Sequence, residues 1–484
     1  MTGVAMRRCV TYPMTMVVLG CLAACAVGPN YRPPPLPEHA DAPLISLSPT
    51  LEESAQPPDD WWRLYDDRRL DQLVREALAA NRDLAAARAN LAAAQAVVSE
   101  VHANRYPATE AIAGGKYGRD PTTDEILELG GHGPQTLWLW EDVFQAAYEV
   151  DLFGQVHRAM EAASANAESV AAARDSVRVV VAANTALAYA SICALGEELG
   201  VAHHSLDVVT HESEITTQRY EAGGGSQFDT KRAQAEVAEV RATIPQLEGA
   251  RRATLFELTA LLGRTPTDAP KDLEACSAPP HLTSLIPVGD GRALIRRRPD
   301  VRQAERRLAA ATAEIGVATA DLYPSIRLTG FFGGAATEVP QLNTNAARIW
   351  GVGPTISWSF PNQAGPRARV HQAKASEQAA LASFDSVVLT ALKEIEQALT
   401  LYRSDLDRRQ ALADAQSDLQ NAFQVARNGY AAGSLSTLEL LTTEQSLVAI
   451  DAEVASSDAH LVQDQIAIFK ALGGGWRDEG PKRP

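Results

Sequence analysis

Aromatic residues make up only 6% of this 484-residue chain and charged residues only 21%. A core built around packed rings is therefore not expected, while 46% apolar content excludes a disordered chain. Positive charge is not in excess. The formal net charge is −16, which argues against sequence-independent binding to nucleic acid, so no nucleic-acid partner is expected. Cysteine is scarce: Cys9, Cys21, Cys25, Cys193 and Cys276. No two of them share the short spacing of a zinc site or a redox motif. A bond between Cys193 and Cys276 is left open, because one isolated pair makes no disulfide framework. No Gly-rich phosphate loop follows a strand-like run, and no nucleophile elbow is visible. His203, His204 and His211 lack a carboxylate-and-cysteine cluster at ligand spacing, so solvated or seam positions are expected for them. These absences leave no enzyme class standing and imply no metal.

What is present begins with an export signal. Arg7 and Arg8 precede an apolar run from Met14 to Leu22, too short for a permanent bilayer span of about 20 residues. The run ends in Leu22-Ala23-Ala24-Cys25, which resembles the bacterial lipobox, whose cleavage leaves the cysteine as a lipid-modified N-terminus. Residues 1–24 are read as signal peptide, Cys25 as the lipidated residue and 25–60 as an extended segment. Ala26 stands where an aspartate would favour retention at the inner membrane. Beyond the covalent lipid on Cys25, no cofactor is expected.

Alanine is abundant from Leu70 onward, which favours long, closely packed helices. The chain is also written twice. Asp175-Ser176-Val177 recurs as Asp385-Ser386-Val387, 210 residues on, and at the same offset Tyr220 meets Tyr430, Gly223 meets Gly433 and Ser226 meets Ser436. Arg105-Tyr106-Pro107 echoes Leu322-Tyr323-Pro324 with an offset of 217. Each unit reads helix, strand, loop, strand, very long helix, tight turn, long helix. Gln155 to Tyr220 contains no proline and predicts a helix of roughly 100 Å, repeated from Arg367 to Tyr430. Heptad steps support coiled-coil packing: Leu206, Val209, Ser213, Thr216 and Tyr220; Leu419, Phe423, Ala426 and Tyr430; Leu438, Leu441, Gln445, Val448 and Ala452. Gly223-Gly224-Gly225 and Gly433 mark the reversals, and Pro245 predicts a bend in the first returning helix.

Short strands accompany the helices. Trp350, Val352, Pro354, Ile356, Trp358 and Phe360 alternate with small or polar residues, as a lipid-facing barrel strand requires. Ala146, Tyr148, Val150 and Leu152 alternate with Ala147, Glu149 and Asp151, and Ile326, Leu328 and Phe332 with Arg327 and Thr329. The competing reading is an antiparallel sheet half-buried on a soluble core. Four strands cannot close a membrane barrel, for which about eight is the minimum, and lipid does not tolerate an open edge. Several copies must therefore share one barrel.

The residues resemble TolC-like outer-membrane efflux factors of the lipoprotein branch that includes OprM and NodT. Gly28-Pro29-Asn30-Tyr31, Trp61-Trp62, Asp151-Leu152-Phe153-Gly154 and Arg298-Pro299-Asp300-Val301-Arg302-Gln303-Ala304-Glu305 carry the likeness. Ile315-Gly316, Ala318, Tyr323-Pro324-Ser325-Ile326 and Leu328-Thr329-Gly330 extend it. The resemblance implies a mainly α chain with a small β part: two tandem repeats of long coiled-coil helices plus four strands. It implies a homotrimer with a twelve-strand β-barrel in outer-membrane lipid and a twelve-helix α-barrel extending through the periplasm. The partners it implies are a periplasmic adaptor and an inner-membrane transporter, for which the trimer is a passive exit duct.

Domain limits follow. The first repeat covers 61–265, with strands about 105–119 and 138–152 and long helices about 155–220 and 226–262. An equatorial segment covers 266–292. The second repeat covers 293–472, with strands about 323–334 and 348–360 and long helices about 366–430 and 435–471; a tail covers 473–484. By resemblance, Leu438 and Glu439 fall at the periplasmic gate, with Thr442 where a second acid is common. Tyr220, Gly223, Ser226, Tyr430, Gly433 and Ser436 match the adaptor-contacting turns. From the residues alone, Leu438 also reads as a seam leucine between helices, and the chain as a non-conducting structural coiled coil of the envelope.

Overall fold

The computed structural model describes residues 26–40, 42–46, 51–52, 55–119, 133, 135–282, 284–289 and 295–474. The signal residues 1–24, Cys25 and most of the C-terminal tail lie outside the described residues. The described helices are α1 (Arg68–Ala80), α2 (Arg82–Ala103), α3 (Gln155–Glu221), α4 (Gln227–Leu261), α5 (Pro299–Ala320), α6 (Ala364–Ala431) and α7 (Thr437–Ala471). The strands are β1 (Leu51–Glu52), β2 (Ala108–Gly118), β3 (Leu137–Val150), β4 (Ile286–Pro287), β5 (Ser325–Ala336) and β6 (Arg348–Ser357). β6 stops at Ser357 rather than continuing to Phe360; past the ladder Trp358 stacks on Phe360 and donates its ring N–H to the Leu322 carbonyl.

Two compact units divide the chain. The first draws on Met1–Pro34, Ala92–Ser169 and Glu305–Ser383, the second on Pro35–Leu91, Val170–Ala304 and Phe384–Pro484. In the first, β2, β3, β5 and β6 form one antiparallel sheet in the order β2-β3-β5-β6. In the second, α1 buries Leu70, Leu73, Val74, Ala77 and Leu78, a spacing that places all five on one helix face. Its start is fixed by Asp67, whose carboxylate accepts from the Arg69 and Leu70 amides and from the Tyr189 hydroxyl. Trp61 stacks on Phe469 at 4.7 Å, and the Tyr65 hydroxyl donates to Gln465, which tie the start of the first repeat to α7.

α3 and α6 run for 67 and 68 residues. α3 contains a stretch of mean hydropathy 1.7, 72% of it buried within the chain, so protein packing covers most of that surface. α4 continues through Pro245 as a helix. Cys193 on α3 is bonded to Cys276, across a sequence separation of 83. The pairing left open above is thus made. Arg251 supports it from α4 by donating to the carbonyls of Leu273 (3.1 Å) and Cys276 (2.6 Å), which holds the segment after α4 where the two sulfurs meet.

Candidate functional site

The sheet has two unlike faces. Directly opposed residues of antiparallel strands share a face, so the register assigns every side chain. One face carries Tyr117; Trp138, Trp140, Phe144, Tyr148 and Val150; Ile326, Leu328 and Phe332; and Trp350, Val352, Pro354 and Ile356. Asp142 and Arg348 are the charged residues on this face, and Asp142 accepts from the Gly334 amide at 2.8 Å. The other face carries Glu110, Lys116, Gln145, Glu149, Arg327 and Thr329, interspersed with Ile112, Val143 and Phe331. There Gln145 donates to Glu110 at 2.6 Å, and Arg327 pairs with Glu149 at 3.7 Å.

Aromatic pairs close both ends of the apolar face. Trp138 stacks on Trp140 and leans on Tyr117 at one end. At the other, Phe153 stacks on Tyr323 and Trp358 on Phe360, each at 4.6 Å. β3 has fourteen residues. At ~3.3 Å each and a tilt of ~45°, such a strand rises roughly 30 Å, the height of a bilayer's apolar band. Among the described residues β2 and β6 each have one neighbour, so two edges of the sheet are unpaired there.

Beside the sheet the segment after Cys25 is pinned down. The Val27 amide donates to the Phe153 carbonyl at 3.0 Å. Arg158, in the first turn of α3 and almost wholly buried, donates to the Val27 carbonyl (3.2 Å) and to Asn30 Oδ1 (2.7 Å), with Glu161 as its ion partner. Tyr31 donates to Glu305 at 3.0 Å, and the Arg306 guanidinium lies over its ring. Several motif residues of the sequence thus meet in one collar: Gly28 to Tyr31, Phe153, Glu305 and Gly316.

The two tip turns share one design. After α3, Gly223 has φ +78° and its amide donates to Tyr220, while the Gly224 amide donates to Arg219. After α6, Gly433 has φ +76° and donates to Tyr430, while Ser434 donates to Gly429. Both form the paired bonds that end a helix on a left-handed residue, which explains the glycine at each. Ser226 then caps α4 and Ser436 caps α7, each accepting from the amide three residues on, Asp229 and Glu439. Glu439 closes a full capping box: its carboxylate accepts from the Ser436 amide (2.7 Å) and hydroxyl (2.8 Å). Those two bonds hold its carboxyl below the usual range. Asp229, its counterpart one repeat earlier, accepts from the Ser226 hydroxyl at 2.6 Å. Glu439 therefore has a structural task that the gate expectation did not include.

The heptad seam is buried at Val209, Ala426, Leu441 and Val448, but it opens in the last turn. Tyr220 and Tyr430 are 44% and 45% exposed, and Leu438 is 59% exposed. Within one chain, Leu438 does not pack as a seam residue. Further from the tip, Arg409 binds Asp458 and Arg408 binds Glu453, joining α6 to α7, and Gln445 on α7 donates to Glu236 on α4. His203, His204 and His211 are exposed, and no metal-holding group of His, Cys, Asp and Glu occurs among the described residues.

Residues 73–264 and 292–474 match the family model described as outer membrane efflux protein. The chain belongs to that family. Nodulation protein T of Rhizobium leguminosarum bv. viciae is 29% identical over 458 residues, covering 94% of this chain and 92% of the relative. The probable outer membrane lipoprotein SilC of Salmonella typhimurium is 28% identical over 475 residues, covering 95% and 97%. Among solved structures, the outer-membrane channel OprN superposes with a TM-score of 0.84 at 34% identity, covering 93% of this chain and all of that one. In an outer membrane efflux protein, the apolar sheet face with its two aromatic ends is the surface that suits lipid. Arg158 and the Cys193–Cys276 bond were not among the expected functional residues. Their signals in the sequence are faint, an arginine in an ordinary helical run and two distant cysteines.

Proposed function

We propose that three copies of this outer membrane efflux protein join side by side into one continuous wall, forming the passive exit duct of a three-part export system. The observation that carries the reading is the sheet: largely apolar on one face, mixed on the other, and unpaired at β2 and β6 among the described residues. Lipid does not accept those edges, and joining β6 of one copy to β2 of the next satisfies both. Two copies would give eight strands and an interior filled by side chains; three give twelve and leave a passage.

Each chain contributes four long helical arms to a periplasmic tube, and the tip turns carrying Tyr220, Gly223, Ser226, Tyr430, Gly433 and Ser436 meet an adaptor that leads to an inner-membrane transporter. Leu438 closes the tip as an apolar ring, because exposed leucines brought together exclude water and gate by dewetting. Glu439 is assigned to helix capping, with only a secondary part in charge at the gate. Cys25 carries the lipid. The pinned path of residues 26–31 beside the sheet suits an anchor there, and SilC is named a lipoprotein. No catalytic role is assigned to any residue.

Single-channel recording of the purified protein in planar bilayers tests this reading. Leu438→Ser is expected to raise the frequency of openings over wild type. No conductance from either protein would favour a non-conducting structural role.

A further inference from the structure

The two halves of the repeat differ at one place in the second compact unit. α2 and α5 correspond at the 217-residue offset, Arg82–Ala103 to Pro299–Ala320, and α3 and α6 correspond at 210 through Asp175 and Asp385. In the second half, Ile295, Val301, Phe384 and Val388 meet in one buried apolar cluster with Ala40, against which Leu36 packs. In the first half the matching positions carry Leu78, Leu84, Arg174 and Arg178, and these line an open cavity of about 470 Å³. Apolar packing satisfies the architecture here, so the architecture itself does not call for arginine.

Arg63, Arg75 and Arg88 bring the arginines lining the cavity to five, supplied by the turn at Trp61–Tyr65, α1, α2 and α3. The acids in the lining are two, Asp60 and Asp175, and both are engaged. Asp60 pairs with Arg63 at 3.2 Å, and the buried Asp175 accepts from Arg174 at 2.8 Å. Asp71, alongside, accepts from Arg63 at 3.1 Å, from Arg75 and from the Trp62 ring N–H. Arg88 donates to the Leu78 carbonyl at 3.0 Å and to no carboxylate among the described residues. This is a concentration of positive charge in a chain whose formal net charge is −16. Crowded cations repel one another unless an anion joins them.

We propose that this arginine-lined cavity binds a small dianion carrying phosphate or carboxylate groups, with Arg88 as a principal contact. Each guanidinium has five N–H donors in a planar fork, so even the paired arginines keep donors for an oxyanion. The volume suits a small ligand, whose pockets begin at about 300 Å³. A bound dianion bridges four elements and stabilises the folded chain by mass action. The site rests neither on the trimer nor on the gate.

Isothermal titration calorimetry of the purified full-length protein tests the site, with inorganic phosphate and succinate as probes in a chloride buffer of fixed ionic strength. Saturable binding of at least one of them, at one site per chain, is expected. Phosphate alone would mark a preference for the tetrahedral ion, succinate alone for the carboxylate pair. Arg88→Gln keeps a donor for Leu78 and is expected to weaken binding about tenfold, the scale of a lost charge-assisted hydrogen bond. Arg408→Gln, which removes the pair with Glu453, should bind as wild type does. The bound ion should also raise the unfolding temperature of wild type and leave that of Arg88→Glu unchanged. No saturable binding of either ion overturns the proposal. So does wild-type affinity in Arg88→Gln, or in the more exposed Arg75→Gln should Arg88→Gln fail to fold.

Discussion

A Cβ on Gly28 would stand 2.5 Å from the Cα of Gly316, on a backbone already at φ +90°. Two motif glycines almost 300 positions apart are thus one contact, where the segment after Cys25 crosses α5. Gly28→Ala is expected to lift residues 26–31 from the collar and to cost roughly 1–3 kcal/mol, the usual scale of a strained non-glycine residue. Gly316→Ala is expected to disturb the same collar, because its Cβ would stand 2.6 Å from the Arg158 side chain, which is buried and held by its bonds to Val27 and Asn30. Limited proteolysis near residue 30 with thermal unfolding checks this; wild-type behaviour of either variant would contradict it.

The two sheet faces are expected to differ in what they accept. Val352→Lys puts a charge on the lipid side and should cost about 2–4 kcal/mol near mid-membrane, reducing the membrane-inserted fraction. Gln145→Lys lies on the other face, opposite Glu110, and should insert normally. Fractionation of membranes for the two variants reads this directly. Normal insertion of Val352→Lys would mean the faces are assigned the wrong way round.

Loss of the Cys193–Cys276 bond is expected to lower stability by about 2–4 kcal/mol, the typical effect of releasing a long closed loop. Thermal unfolding with and without reductant should show a drop for wild type. The variant Cys193→Ser, Cys276→Ser should start lower and ignore the reductant.

Much of the fold was legible because its signals are local or periodic. Proline-free, alanine-rich stretches announced α3 and α6, and the repeat aligned their turns. Alternation of apolar and polar residues distinguished the strands, although β3 and β6 end at Val150 and Ser357, short of Leu152 and Phe360. Other features depend on distant neighbours. Nothing near Cys193 says that the segment after Leu273 folds back onto α3, since Arg251 on a third element holds it there. Glu439 is a different case. Its Ser-x-x-Glu spacing is a visible capping signature, and family resemblance drew attention to the gate instead.

Asp464 on α7 lies within hydrogen-bonding reach of Asp405 on α6, and burial together with that neighbour pushes it up to about 7. An unfolded aspartate titrates near 4, so between about pH 4 and 7 the folded chain holds a proton that the unfolded chain releases. Stability from this pair should therefore fall as pH rises from 5 to 8. Asp464→Asn should flatten that dependence and unfold at a higher temperature than wild type at pH 8. A wild-type curve that rises over this interval, with no change in the variant, would rule the pair out as its source.

The bare flanks of the sheet also bear on biogenesis. A newly exported subunit presents two adhesive borders and a greasy panel before any sibling is near, which is a hazard in a crowded compartment. In the trimer proposed above, insertion and ring closure are for that reason expected to be one concerted event. On that reading the solitary chain needs an escort that masks those borders until the ring closes.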